Sequence, residues 1–265
     1  MGVSRRDLLR GAGGLVLGFG MGGIAGLTNG MAAEPQTGAA LLPWPYKKLD
    51  VDAVAERGYE GYYKGACCYG AFEGIVGELR KAVGGPYSTF PTEMMVFGEG
   101  GVAGISTLCG SLNGAAMTIF LTTGGAEKGG KEKAFALIRE LFNWYEQEQL
   151  PDYTPRNPRF QIVRSVSRSP LCHVSVTNWC KASKVKSFSK ERAERCAWIT
   201  ASVARHTAQL LNDNAAGIFK AAHAIPASEQ TCRGCHDQGG VLENTRGMMD
   251  CGGCHFTPKT RHPKV

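Results

Sequence analysis

Two pentapeptides near the C-terminus, Cys232-Arg233-Gly234-Cys235-His236 and Cys251-Gly252-Gly253-Cys254-His255, carry the most specific chemistry in the chain. A Cys-x-x-Cys-His run sets two thiols where each can add across one vinyl group of a haem. The imidazole beside them then takes the iron as its proximal ligand. With ten Cys and six His in 265 residues, chance yields on the order of 0.01 such runs, so two in succession are a strong signal. The competing reading is a structural zinc site, because two Cys-x-x-Cys pairs separated by 15 residues also suit tetrahedral zinc. The histidine trailing both pairs favours two haem c groups per chain. Cys232, Cys235, Cys251 and Cys254 would then form the thioethers, and His236 and His255 would bind iron proximally.

Each iron has a second axial position, and His173, His206, His223 and His262 remain to fill it. His223 lies nine residues before the first motif and is the first choice. His206, late in an expected helix, is the second, with a plain surface histidine as its alternative. His262 sits near the C-terminus, where chains fray. Met248 and Met249 offer His/Met ligation, which would raise the potential. Two protein ligands per iron make an electron carrier. One open position would instead make a small haem- or cluster-dependent reductase, which carbon monoxide binding would reveal.

Six cysteines are left: Cys67, Cys68, Cys109, Cys172, Cys180 and Cys196. Such residues often serve as small buried hydrophobes, and exported proteins also form disulfides. Several of these six are framed by glycine, in Gly65-Ala66-Cys67-Cys68-Tyr69-Gly70 and in Gly98-Glu99-Gly100-Gly101 followed by Cys109-Gly110-Ser111-Leu112-Asn113-Gly114. Glycine lets backbone amides approach a cluster or an anion closely.

These segments resemble the redox-active C_GCAxxG_C_C domain. Joined to two C-terminal Cys-x-x-Cys-His motifs, they are similar to the split-Soret cytochrome c family of sulfate-reducing bacteria. The resemblance covers nearly the whole chain beyond its leader. It implies a periplasmic homodimer with two closely stacked c-type haems per subunit. It also implies bis-histidine iron, with one axial histidine of each haem donated by the partner subunit, and an iron–sulfur centre of the [2Fe–2S] kind. Cys67-Cys68 offers two thiols where the family motif needs one. The cluster candidates are Cys68, Cys109, Cys172, Cys180 and Cys196.

The elements that must position these groups are mainly α. A helical Cys-rich domain over 50–212 is expected to precede a loop-rich dihaem tail over 213–265, with 34–49 as a linker. Asp50 reads as the N-cap of a helix or helix pair reaching Val83, stopped by Gly84-Gly85-Pro86. Gly110–Thr122 reads as a small-residue helix and Glu127–Gln149 as an amphipathic one. Ser189 caps a helix to about Asn212, with Glu191 and Glu194 in its first turns. Strand signal is confined to runs such as Phe160–Val166. The tail is too poor in large apolar residues to build its own core, and haem would supply the buried mass. On the Ser189 helix, Cys196 and His206 stand ten residues apart, hence about 15 Å along the axis and roughly 80° apart in direction. They cannot serve one metal, but they can serve two.

Residues 1–33 read as a leader. Ser4-Arg5-Arg6-Asp7-Leu8-Leu9 precedes a Gly-rich, weakly hydrophobic run and small residues at Ala32 and Ala33, the pattern of Tat export to the periplasm. No other segment is long and apolar enough to span a bilayer, so no stable membrane insertion is expected after cleavage. The formal charge of +7 is spread without a polybasic run, which argues against a nucleic-acid partner and leaves redox proteins.

Overall fold

The computed structural model describes residues 41–253 and residue 255, and these are mainly helical. Residues 1–33, expected to be a leader, and Cys254 and His262 lie outside the described residues. Asp50 caps the first helix as its sequence position predicts. Its carboxylate accepts hydrogen bonds from the Asp52 and Ala53 N–H groups at 2.9 and 3.1 Å, and α1 (Val51–Ala82) follows.

This element is a hairpin. Gly65 (φ −150°) and Ala66 (φ 61°, ψ −166°) leave helical geometry, and the arms 51–64 and 67–82 fold back on each other. Glycine permits the approach: a Cβ on Gly70 would fall 2.6 Å from Tyr62 N, and one on Gly74 3.0 Å from Val54 O. Arg57 bridges the arms through a 2.7 Å bond to Glu78.

After α2 (Pro86–Thr89) and a 3₁₀ turn at Thr92–Gly98 come α3 (Gly110–Thr123) and α4 (Gly130–Gln147). α5 (Cys172–Ser183), α6 (Lys190–Ala215), α7 (Ala227–His236) and a second 3₁₀ turn at Cys251–Gly253 complete the order. Two short strands, β1 (Gln149–Leu150) and β2 (Ser165–Val166), pair antiparallel with Gln149 opposite Val166. Of the run expected over 160–166 only the end is strand, and its partner Gln149–Leu150 lies outside that run. Gly129 (φ 88°) shortens the expected amphipathic helix at its start.

The core lies where α1 meets α3, α4 and α6. Phe72, Ile75, Leu112, Ile119, Leu137, Leu141, Val203 and Leu211 are buried together there, each side chain contributing about 1.5–3 kcal/mol through burial. Ser189 caps α6 by accepting from the Arg192 N–H at 3.1 Å. The helix runs on past Asn212 to Ala215. The Asn212 side chain accepts from Leu49 N–H and donates to Leu49 C=O, both at 2.9 Å. That ladder draws the segment 41–49 against the helices. Trp44 N–H donates to Leu121 C=O at 2.7 Å, and its ring meets Tyr87 and Phe90 edge-on. Among the described residues no helix is long and apolar enough to cross a membrane.

Candidate metal centres

Four thiols converge on one cavity. Cys67, Cys109, Cys172 and Cys196 line a space of about 830 Å³ between the second arm of α1 and α3, α5 and α6. Three of them stand at helix starts. Cys67 opens the second arm directly after the Gly65-Ala66 break, Cys109 is the N-cap position of α3, and Cys172 is the first residue of α5. Helix N-termini favour negative charge and lower the energy of a thiolate. Cys196 comes from the second turn of α6. Backbone bonds clamp the two loops: Cys109 N–H donates to Pro170 C=O at 2.8 Å, and Cys172 N–H to Thr107 C=O at 2.6 Å.

The cavity wall also stores strain. Ala66 (φ 61°), Ala103 (φ 50°) and Ser106 (φ 68°) line it in left-handed conformations. Each costs of order 1–3 kcal/mol and persists only where the surroundings over-determine it, as functional sites do.

Burial pushes the Cys67 thiol well up and the Cys172 thiol up to about 12, and the other cavity thiols push further. Metal binding at such thiols must release their protons. Soft sulfur donors of this number suit an iron–sulfur centre. Among the described residues no three His, Cys, Asp or Glu side chains stand close enough to hold one metal ion as placed. The donors surround a larger volume, which fits a polynuclear group better than a single ion.

Of the cysteines expected here, Cys109, Cys172 and Cys196 are brought together. Cys68 is fully buried in the hydrophobic core, against Gly98, where a Cβ would fall 2.5 Å from its Sγ. Cys180 is half-buried on α5 and does not line the cavity. It lies eight residues beyond Cys172, about 12 Å further along the helix. Cys67 completes the set in place of Cys68. The signal for it was the preceding Gly65-Ala66, because a residue opening a helix after a break presents its side chain at the helix end.

The second site lies on α4, toward the tail. Cys232 and Cys235 fall on one face of α7 at i and i+3, the geometry that brings two side chains to one group. His236 follows them, its Nδ1 2.8 Å from Asn244 Oδ1, and such a bond fixes the ring of a metal-ligating imidazole. Cys251 sits beside Cys232. Burial first, then the Cys232 thiol, raises its pKa. His255 N–H donates to Cys251 C=O at 2.9 Å. The two motifs are therefore side by side.

Both expected distal histidines face the C-terminal half of α4, close enough for His206 to feel the charge of His223. His223 Nδ1 is 2.7 Å from Oε1 of the buried Glu140, and its Nε2 is 3.2 Å from the exposed Glu148. Burial works against its protonation, but the two carboxylates outweigh it and hold the imidazole above its ordinary pKa. His206 stacks on Trp144, and its Nε2 is buried with no hydrogen-bond partner. Burial lowers its pKa to about 4, so it is neutral near pH 7, the form a metal ligand needs. Met248 and Met249 line small cavities against the same helix. His173 lies instead at the cysteine cavity.

Comparison with known proteins places the chain in a family. Residues 67–210 match the family model described as "Putative redox-active protein (C_GCAxxG_C_C)". The chain is 36% identical over 272 residues to a split-Soret cytochrome c of Desulfovibrio desulfuricans, covering 96% of this chain and 95% of the relative. It superposes with a TM-score of 0.76 and 35% identity on the solved structure of split-Soret cytochrome c from Desulfovibrio desulfuricans, which is described as holding a novel iron centre. That match covers 85% of this chain and 95% of the other. The chain belongs to the split-Soret cytochrome c family.

Proposed function

We propose that the protein is a periplasmic dihaem cytochrome c that carries electrons, with a [2Fe–2S] centre in the cysteine cavity exchanging electrons with the haem pair. One observation carries the reading: α4 is a wall common to both sites. Tyr145 lines the cysteine cavity, and its chain neighbour Trp144 stacks on His206 beside Glu140 and His223. Centres on either side of one packed helix are separated by little more than its width, about 10–12 Å.

Cys232, Cys235, Cys251 and Cys254 hold the two haems by thioethers, and His236 and His255 take the irons proximally. His223, oriented by Glu140, and His206, with its unpartnered Nε2, are the distal ligands. In a homodimer, the assembly that the family resemblance implies, His223 or His206 would serve a haem of the partner subunit. Cys67, Cys109, Cys172 and Cys196 hold the cluster. Haems and cluster, when bound, supply one-electron chemistry. The chain's own residues fix the imidazole planes, exclude water and hold the thiolates. Export rests on the leader, with folded, soluble redox proteins as partners.

An optical and EPR redox titration, with haem and acid-labile sulfide counted per chain, tests this. Two low-spin haems and one cluster are expected, with no carbon monoxide binding by the reduced protein. Ready binding of carbon monoxide would favour a reductase with an open iron position, and metal without haem absorbance would return the zinc reading.

A further inference from the structure

Arg195 is 1% exposed and lines the cysteine cavity. Its guanidinium cannot give up its proton, so it carries a full charge into the interior. Its partners do not offset that charge. Nη2 donates to Ser175 Oγ at 2.8 Å and the guanidinium also reaches the Cys196 thiol, which is neutral when protonated, while Nε is buried with no partner. Among the described residues it makes no ion pair with a carboxylate. Ser175 is neutral and also engages Tyr145 at 2.8 Å and Ser167 at 3.0 Å. Glu194, its chain neighbour, turns to another face and is occupied by Tyr59, Tyr63 and Trp198. An isolated buried cation of this kind is strongly unfavourable unless a negative charge faces it.

The groups that do face it are the Tyr145 hydroxyl first and then two sulfurs. Cys109 and Cys196 are close enough to favour its charged form, and Arg192 adds a second cation with Nη1 4.0 Å from Cys196 Sγ. Arg192 is half exposed to solvent and donates through Nε to Ser187 C=O at 2.7 Å. Water and that carbonyl satisfy it. Arg195 has neither. A cavity of four neutral thiols would leave its charge alone, and three helix N-termini would add to the mismatch.

We infer that Arg195 is the built-in counter-charge of an anion held by the cysteine cavity, and that it is a positioning residue which keeps the reduction potential of the bound centre high. Reduction of the centre adds one electron and hence one negative charge to the cavity. A fixed, unscreened cation stabilises the reduced form more than the oxidised one. The inference rests on the cluster reading for its redox half and on the burial of Arg195 without a facing carboxylate for its charge half.

Arg195→Met and Arg195→Lys proteins test it, with haem absorbance and helical circular dichroism as checks on folding. In the cluster-loaded protein the Met variant should need a poise lower by at least 59 mV, a tenfold change for a one-electron couple, or should lose acid-labile sulfide. The Lys variant should recover most of the potential or of the sulfide. Equal potentials and equal sulfide in wild type and Met variant would overturn the inference. So would equal loss in both variants, because a role that a second cation cannot restore is not one of charge. If the wild-type protein itself holds no labile sulfide, the cluster reading fails separately. The charge half is then read from urea unfolding of the cluster-free proteins. A Met variant at least as stable as wild type supports it, because an uncompensated buried cation has been removed, and a less stable one overturns it.

Discussion

The indole of Trp144 and the imidazole of His206 lie face to face, 4.0 Å between centroids and 9° between planes. Stacking sets the ring plane while leaving the buried Nε2 without a partner. A satisfied core histidine would spend that nitrogen on a hydrogen bond, so the orphaned Nε2 leaves His206 open to the distal-ligand role proposed for it. In a His206→Ala protein, one haem should lose its low-spin EPR signal and bind carbon monoxide on reduction. His223→Ala should act likewise on the other haem. An unchanged low-spin spectrum in either variant would assign that histidine to packing alone.

Cys67 and Cys68 are adjacent in the chain and opposite in fate. Adjacent residues on a helix point about 100° apart, so one reaches the cavity while the other enters the core. Cys67→Ser should abolish the cluster's visible absorbance while the haem bands persist. Cys68→Ala should keep the cluster and cost about 1 kcal/mol of stability, the scale for deleting one small buried group. Iron and acid-labile sulfide analysis beside urea unfolding separates the two. Cluster loss in the Cys68 variant alone would reverse the assignment.

The same pair marks how far the sequence could be read. Asp50 and Ser189 announce their helices because a cap works through a local side-chain bond. The Cys-x-x-Cys-His motifs are legible for the same reason, since their chemistry is contained in five residues. The start of α5 carries no such mark: Leu171 precedes it without a side-chain cap. Its phase, and hence the exclusion of Cys180, could not be read. Arg195 sits in a run, Lys190-Glu191-Arg192-Ala193-Glu194-Arg195, that resembles a solvated helix face. It is buried among Ser175 of α5, Tyr145 of α4 and Cys109 at the start of α3, none of which its own stretch of sequence reveals.

The turn that positions Cys67 depends on close approach between the arms of α1. A Cβ on Gly70 would meet Tyr62 N at 2.6 Å, Gly58 O at 2.8 Å and Thr200 Cγ2 at 2.8 Å. Two of these are backbone atoms that cannot swing aside. Gly70→Ala should therefore cost about 3 kcal/mol, at the upper end of overpacking penalties, and should weaken cluster retention. Gly247→Ala is the control, because nothing lies within 4 Å of a Cβ at that position. Urea midpoints of the two variants, compared with wild type, decide the matter. Equal midpoints would mean that the arms separate more easily than their spacing implies.

Glu194 ties the first arm of α1 to α6. Its Oε1 accepts from Tyr59 OH at 2.8 Å, Trp198 Nε1 at 2.8 Å and Arg159 N–H at 2.9 Å, and Oε2 accepts from Tyr63 OH. Burial alone would raise its pKa, but these donors outweigh it and hold the carboxyl below its ordinary value of 4.5. The unfolded state then binds a proton at a pH where the folded state does not. Stability from this group is full above about pH 4.5 and is lost as pH falls through the lower folded value. In Glu194→Gln the amide NH₂ would stand where Oε2 accepts from Tyr63, and the ionic character of the other bonds would vanish. Hydrogen bonds to charged groups are worth about 1.5–3 kcal/mol each, so a loss of about 2 kcal/mol at pH 7 is expected. The gap between wild type and variant should narrow as pH is lowered below 4.5, because the wild-type carboxyl becomes protonated and loses the same advantage. Urea unfolding at pH 7 and at pH 3.5 measures both quantities. A gap that stays constant between them would mean that Glu194 contributes through shape rather than through its charge.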